Sequence, residues 1–250
     1  MGVALRPAAT RPDPNAPVVV SPPVPTISGR VGIYGGTFDP VHLAHLAVAD
    51  EAREVAGLER VVFMPAGSPW QKAARQVSPA ADRLAMLELA IADDPAFSIS
   101  RLELDRPGPT YTVDTLAALA ATAEAAGERP DLWFILSSEA LRGLPTWRDP
   151  AGVLDRCRLI VAPRGVPPSE ADQGSSTAPV PDADAAWVAA AFPGRADRFV
   201  FLEAPRWRLS ATEIRARVAA GRSIRHLVPA AVAAYIDDHG LYRDPERRSR

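Results

Sequence analysis

The strongest constraint in this sequence is the segment 35–45, which reads GGTFDPVHLAH. An apolar run at 31–34 precedes paired glycines, and two histidines then open a helical pattern. A strand, a glycine turn and a helix start bring backbone N–H groups and a helix dipole to a phosphate. Glycine has no Cβ to hold a ligand away from the main chain, and imidazoles donate without a large permanent charge. The segment therefore predicts a site that holds a nucleotide by its phosphates.

Composition excludes several classes of protein. The chain has 250 residues, 47% of them hydrophobic, which is enough for one sizeable α/β domain or two small ones. Its net charge of −2 gives no basic surface for nucleic acid, so no nucleic-acid partner is expected. The single cysteine, Cys157, cannot form an internal disulfide, and its apolar neighbours predict a buried, inert thiol. With no membrane span and no secretory signal, we expect no membrane association and a cytoplasmic location.

The chain divides into tails and one folded region. Residues 1–29 are rich in proline and alanine and predict a disordered tail, and 244–250 form a charged tail. We expect a single domain over 30–243. Its segment 166–197 has loop composition, which predicts a loop insertion with a short helical stretch near 185–191.

Within that domain, apolar runs alternate with helical patterns. The predicted strands are 31–34, 60–64, 97–100, 132–136, 158–161 and 199–202, and the predicted helices are 43–56, 79–93, 112–126, 211–220 and 229–239. This alternation predicts an α/β fold, a doubly wound parallel sheet covered by helices on both faces. Ligands bind such sheets beyond the carboxyl ends of the strands, where Gly35 and Gly36 fall.

A second informative string, LSATEIR, occupies 209–215. Ser210 is a helix N-cap, and Glu213 three residues later completes the pattern of a capping box. The same helix end carries the Thr212 hydroxyl and, one turn on, the Arg215 guanidinium. These groups suit a phosphate as well as a helix terminus.

Both strings resemble motifs of one family. GGTFDPVHLAH resembles the (H/T)xGH signature of the nucleotidylyltransferase superfamily, in the form seen in nicotinate-nucleotide adenylyltransferases, and SATEIR resembles that family's ISSTxxR. The resemblance implies a Rossmann-like fold of the nucleotidylyltransferase type with C-terminal helices. It implies catalytic roles for His42, His45 and Arg215. It also implies ATP binding by Gly35, Gly36, Thr37, Phe38, His42, His45, Ser210, Thr212 and Arg215. Ala44 stands where the family usually has glycine, and we expect it to be helical and therefore harmless.

Further strings resemble the family's acceptor site. PAGSPWQK at 65–72 resembles its substrate loop, GPTYTVDTL at 108–116 resembles PSYTxDTL, and LPTW at 144–147 resembles LPxW. The resemblance implies that Trp147 stacks on a pyridine ring and that Thr112 and the amide of Arg148 meet its carboxylate. The implied mononucleotide site comprises Lys72, Thr112, Trp147, Arg148 and Arg164.

Three other positions complete the comparison with the family. Ser137-Ser138-Glu139 departs from the family's Gly-x-Asp, and the resemblance implies that Glu139 meets the nucleotide ribose. Arg83 is interpreted as structural, and Asp114 as an acid that stabilises the first turn of its own helix.

The resemblance implies that ATP and nicotinate mononucleotide are joined to give nicotinate adenine dinucleotide and pyrophosphate. Mg²⁺ is expected to arrive with ATP, held by phosphates and water and by no protein side chain. Two alternatives remain open: another phosphate acceptor (nicotinamide mononucleotide or phosphopantetheine), or a non-catalytic nucleotide-binding relative. A dehydrogenase is disfavoured because the G-x-G-x-x-G fingerprint is absent. The sequence does not decide between a monomer and a homo-oligomer.

Overall fold

The computed structural model describes residues 27–67, 77–163, 183–203 and 209–244. Within these residues a sheet of six parallel strands has the order β3-β2-β1-β4-β5-β6. The strands are β1 Arg30–Gly36, β2 Arg60–Pro65, β3 Phe97–Ile99, β4 Asp131–Ser137, β5 Arg158–Ala162 and β6 Phe199–Phe201. The strand order and direction confirm the predicted doubly wound α/β fold.

The topology places a crevice between β1 and β4. The chain winds outward from β1 through β2 to β3, and then returns to the other side of β1 to form β4. Parallel pairing sets Arg30 opposite Asp131 and Tyr34 opposite Ile135, so both strands end at the same edge of the sheet. Ligands of such folds bind at this point, where the winding direction reverses.

Helices cover both faces of the sheet. They are α1 Leu43–Ala56, α2 Ala80–Ile91, α3 Thr112–Ala125, α4 Ser138–Gly143, α5 Pro150–Arg156, α6 Ala185–Ala191, α7 Ala211–Ala219 and α8 Ala230–Asp238. One core cluster joins α1, α2, α7 and α8 to one face of the sheet. A second cluster joins the helices α3, α4, α5 and α6 to the other face. In β2, Val61 and Phe63 belong to the first cluster while Val62 and Met64 belong to the second. Both faces of that strand are therefore buried, which explains its unbroken apolar run.

The structure corrects three expectations from the sequence. Short helices α4 and α5 were not predicted, because six or seven residues give too little periodicity to recognise. The short helix expected near 185–191 is present as α6, but it is part of the core and not of a loop: Asp184 caps it, and Val188 is 1% exposed in the second core cluster. At the other end Ile27 is 2% exposed in the same cluster, so the core begins before residue 30. Residues 1–26 and 164–182 lie outside the described part of the chain.

The expected burial of the cysteine is confirmed. Cys157 is buried, and burial raises the pKa of its thiol to about 12, which makes it unreactive at neutral pH. Among the described residues, no helix combines the length and apolarity that a bilayer crossing requires.

We predict that the region from 27 to 244 unfolds as one unit, because α8 is built into the core of the sheet. Ile236 of α8 is 2% exposed and shares a cluster with α1, α2 and β4. Ile236→Ala should lower the free energy of unfolding by about 2–5 kcal/mol and shift the whole urea transition. Val55→Ala, at a side chain that is 52% exposed, is the matched control and should change it by less than about 0.5 kcal/mol. Two separate transitions, only one of them moved by Ile236→Ala, would contradict a single domain.

Candidate active site

The two glycines at the end of β1 are each covered by an aromatic ring. A Cβ at Gly35 would come 2.9 Å from the ring of Phe134, and one at Gly36 would come 2.8 Å from the ring of Phe38. Phe38 itself is 2% exposed and has a φ of +50°, an uncommon conformation for an aromatic residue. Its buried ring packs against Tyr34, Phe63 and His45, so Phe38 can reach a ligand only through its backbone. The glycines are therefore needed for packing as well as for an open main chain.

The two histidines begin helix α1 as a stacked pair. His42 is the N-cap residue, and its amide donates to Nδ1 of His45 at 3.2 Å. The rings lie 3.7 Å apart and 16° from parallel. Because Nδ1 of His45 accepts this bond, the neutral imidazole carries its proton on Nε2. His45 therefore has a donor for a ligand, with its ring orientation held by the helix terminus.

His42 is the more buried member of this pair and is almost inaccessible. It is 5% exposed, and burial lowers the pKa of its imidazole to about 4. Its ring faces the amide of His45 in a capping-box arrangement, but that amide donates to the carbonyl of His42 at 2.9 Å. Nδ1 of His42 is consequently buried without a hydrogen-bond partner in the described part of the chain.

Ala44 is the second residue of α1, which confirms that its backbone is helical.

Asp39 ties the loop after β1 to the C-terminal helices. Its carboxylate is buried and accepts from the Tyr242 hydroxyl at 2.7 Å and from the Ser78 amide at 3.4 Å. Burial would raise the pKa of Asp39, but these bonds and the charge of Arg215 outweigh it and hold the pKa below its usual value. The carbonyl of the same residue accepts from Nη1 of Arg215 at 2.6 Å. Four segments of the chain thus meet at one aspartate.

Arg83 is a second support for the loop between β1 and α1. Its side chain is 2% exposed and donates to three carbonyls: Thr37 at 2.9 Å, Ser78 at 3.1 Å and Gly67 at 3.4 Å. A planar guanidinium can hold three backbone segments at fixed angles, which a lysine cannot do. The prediction that Arg83 is structural is confirmed.

The string at 209–215 forms the start of α7, as its pattern predicts. Ser210 is the N-cap residue, and its hydroxyl accepts from the Glu213 amide at 3.1 Å. Arg215 donates to the Thr212 hydroxyl at 2.9 Å as well as to the carbonyl of Asp39. The N-terminus of α7 therefore lies against the loop that leads to His42 and His45, although the two strings are separated by more than 160 residues.

A cleft of about 370 Å³ opens at the carboxyl ends of β1 and β4. Seven residues predicted for the ATP and mononucleotide sites line it: Gly35, Gly36, Thr37, His45, Thr112, Trp147 and Arg148. Ser137, which departs from the family pattern, lines it as well, and so do Tyr34, Glu103 and Phe134, for which no site role was predicted. Residues predicted for the ATP site and residues predicted for the mononucleotide site thus line one cavity.

The far wall of the cleft is built by the start of α3 and by the segment after α4. Thr112 is the first residue of α3, whose leading amides have no partner within the helix. Arg148 donates to Asp114 in the first turn of α3 at 3.1 Å and lies 5.0 Å above the ring of Tyr111. Trp147 meets Phe134 edge to face at 6.1 Å. Asp114 thus binds a neighbouring segment in addition to stabilising its own helix.

Six of the predicted residues in the described part of the chain do not line this cleft with their side chains, and two of these, Phe38 and His42, are buried. Glu139 is exposed in the first turn of α4, directly after Ser137, whose hydroxyl caps that helix by accepting from Ala140 at 3.1 Å. Ser210, Thr212 and Arg215 lie at the start of α7, against the loop. Lys72 and Arg164 fall outside the described residues.

Comparison with known proteins agrees with this geometry. Residues 33–217 match the family model described as cytidylyltransferase-like. Relatives from Dehalococcoides mccartyi (strain CBDB1) and Thermus thermophilus, each named probable nicotinate-nucleotide adenylyltransferase, are 40% and 41% identical. Each alignment covers 86% of this chain, and 98% and 100% of the respective relative.

Solved structures share the fold. The nicotinic acid mononucleotide adenylyltransferase of Plasmodium falciparum, complexed with NaAD, superposes with a TM-score of 0.62 at 17% identity, covering 86% of this chain and 97% of that one. A putative nicotinate-nucleotide adenylyltransferase from Vibrio parahaemolyticus gives a TM-score of 0.56 at 16% identity, over 86% and 96% of the two chains. From the sequence match and the relatives near 40% identity, the chain belongs to the cytidylyltransferase-like family and, within it, to the nicotinate-nucleotide adenylyltransferases.

Proposed function

We propose that this chain transfers the adenylyl group of ATP to nicotinate mononucleotide. The products are nicotinate adenine dinucleotide and pyrophosphate, in a step of NAD biosynthesis. The observation that carries the proposal is the shared cleft, which the glycine loop and His45 line together with Trp147 and Thr112. The names of the relatives at about 40% identity agree with it.

The reaction requires alignment of two anions and no protein nucleophile. The 5′-phosphate oxygen of the mononucleotide attacks the α-phosphorus of ATP, and the bond from that phosphorus to the bridging oxygen breaks in line. The protein then has to hold two anions in contact and stabilise the charge on the transferring and leaving phosphates. Backbone amides at Gly35 and Gly36 and the dipole of α1 supply such an environment.

In this proposal His45 stabilises the transferring phosphate. The bond from the His42 amide to Nδ1 leaves the proton on Nε2, and His45 lines the cleft. The buried, uncharged ring of His42 stacks on it and keeps it in place. We also propose that His42 contacts a phosphate oxygen directly and that Thr37 contributes to ATP binding.

The start of α7 is proposed to hold the leaving pyrophosphate. Ser210, Thr212 and Arg215 share this helix end, where the dipole favours anions. The bonds from Arg215 to Asp39 and Thr212 support this role, because they hold the guanidinium beside the loop that carries the histidines.

The acceptor is proposed to lie against the opposite wall. Trp147 offers an aromatic face for the pyridine ring, and the first amides of α3 together with the amide of Arg148 suit its carboxylate. Lys72 and Arg164 are proposed to bind the mononucleotide phosphate, and Glu139 the ribose hydroxyls of ATP.

A divalent cation, Mg²⁺, is proposed to accompany ATP. Among the described residues there is no group of three acidic, histidine or cysteine side chains that could hold a metal. In this proposal the ion is carried mainly by phosphates and water. When bound, it would neutralise charge on the triphosphate. We further propose that the enzyme acts in the cytoplasm, where it would meet ATP.

The decisive test measures pyrophosphate release from ATP with nicotinate mononucleotide and nicotinamide mononucleotide in parallel. We expect release with both ATP and an acceptor present, and higher kcat/KM for the acid, because helix amides favour a carboxylate over a carboxamide. Phosphopantetheine serves as the unrelated acceptor. Preference for phosphopantetheine would identify a different transferase, and ATP binding without release would identify a non-catalytic relative.

A second prediction concerns His45. Replacement by alanine removes the Nε2–H donor and should lower kcat by about 10²- to 10³-fold, the usual effect of losing one such donor. His226→Asn is a matched control: His226 is exposed with a φ of +68°, a conformation that asparagine tolerates. Thermal unfolding should show both variants folded. Turnover near the wild-type value in His45→Ala would refute the role given to this side chain.

A third prediction follows from the buried, neutral His42. Its folded-state pKa of about 4 lies below the ordinary value of 6.5, so the unfolded chain binds more protons between these pH values. The free energy of unfolding should therefore fall by up to about 3 kcal/mol from this residue as pH drops from 6.5 to 4. Urea unfolding across this range measures it. His42→Asn, which keeps an N-cap residue, should show a shallower fall.

A further inference from the structure

Glu103 is an acidic side chain in the cleft that the proposed mechanism does not use. It belongs to none of the motifs discussed above, yet it lines the same cavity as Thr112, Trp147 and Arg148. A carboxylate facing a site for an anionic mononucleotide is unfavourable by charge alone. A positioning role would account for a carboxylate at this place.

Both carboxylate oxygens of Glu103 are bound by hydroxyls that flank the start of α3. Oε1 accepts from Thr115 at 2.8 Å, and Oε2 accepts from Thr110 at 3.3 Å. Thr115 is 1% exposed in the first turn of α3, and Thr110 precedes the helix by two residues. The Thr115 hydroxyl also accepts from Nη1 of Arg106 at 3.5 Å. One side chain therefore clamps the helix start on both sides.

The backbone of Glu103 is held by a separate contact, with Gly67 after β2. A Cβ at Gly67 would come 2.2 Å from the carbonyl oxygen of Glu103, so the loop after β2 is pressed directly against it. The carbonyl of Gly67 in turn accepts from the buried Arg83. The clamp thus rests on the same guanidinium that supports the loop after β1.

The ionisation of Glu103 is consistent with this arrangement. Burial raises the pKa of its carboxyl, and the bonds from Thr115 and Thr110 and the charge of Arg106 offset part of that rise. A half-buried carboxyl with two donors is held in one position, because leaving either oxygen without its hydroxyl would be unfavourable.

We propose that Glu103 is a positioning residue that sets the preference for the acid mononucleotide, by clamping Thr110 and Thr115 so that the start of α3 meets the pyridine carboxylate. This inference rests on the proposed function. Helix amides stabilise a carboxylate only within the first turn, so a small displacement of α3 weakens binding of the acid more than that of the amide.

The test compares Glu103→Ala with Glu103→Gln, which keeps an acceptor oxygen, and with Thr110→Val, which removes one donor. Asp105→Asn is the matched control, an exposed acid two residues away that pairs with Arg101 at 2.9 Å. For Glu103→Ala we expect the KM for nicotinate mononucleotide to rise roughly 5- to 30-fold, with the KM for ATP unchanged. The ratio of kcat/KM for acid over amide should fall, since helix-end binding favours the carboxylate. Glu103→Gln should stay within about threefold of wild type, Thr110→Val should show part of the loss, and Asp105→Asn none.

A second readout requires no turnover. Hydrogen exchange of the amides 110–116, measured without ligand, should be faster in Glu103→Ala than in wild type and near normal in Glu103→Gln. If wild type accepts no nicotinate mononucleotide but this exchange difference is present, the proposed function fails and the clamp stands. Unchanged exchange together with an unchanged acceptor KM in Glu103→Ala would overturn the clamp. A higher acid preference in Glu103→Gln than in wild type would overturn it too, because the charge of Glu103 would then be acting directly.

Discussion

The buried carboxylate of Asp39 is the contact on which the site depends. It lies in the loop between β1 and α1, and it joins that loop to Tyr242 at the end of the C-terminal helices and to Ser78 before α2. Its carbonyl receives Arg215 from α7. A buried charge is stable only when such donors surround it, so the loop and the C-terminal helices have to adopt their positions together.

Because the sheet is parallel, the loop that Asp39 holds forms one wall of a cleft, and the segments around β4 form the other. β1 and β4 are neighbours that end at the same edge, so the loop after β1 faces the segments that follow β4. Helix α3, which precedes β4, brings Thr112 to the same edge. The glycine loop with His45 and the segment that carries Trp147 thereby line one space of about 370 Å³.

Much of the fold was predictable, because its signals are local. Helix α1 begins and ends where its apolar spacing predicts, and all six strands were recognised from buried apolar runs. Helices α4 and α5 were missed because they are short. The helical stretch at 185–191 was expected, but its burial in the second core cluster was not, because the surrounding segment has loop composition. In the site, the glycine loop, His45, Thr112 and Trp147 were found through motifs. Glu103 and Tyr242 were not given roles, since an isolated acid or tyrosine carries no signal in sequence until a partner is known.

The sequence by itself determined the chemical groups and their local frames: the paired glycines, the capping histidines, the helix start at Ser210 and the alternation that makes a parallel sheet. Only the tertiary structure decided which of these groups meet. Arg215 reaches Asp39 across 176 positions of the chain, and Glu103 meets hydroxyls on both sides of a helix start. Such contacts depend on how helices pack against the sheet, and packing geometry is not encoded in the spacing of any single segment.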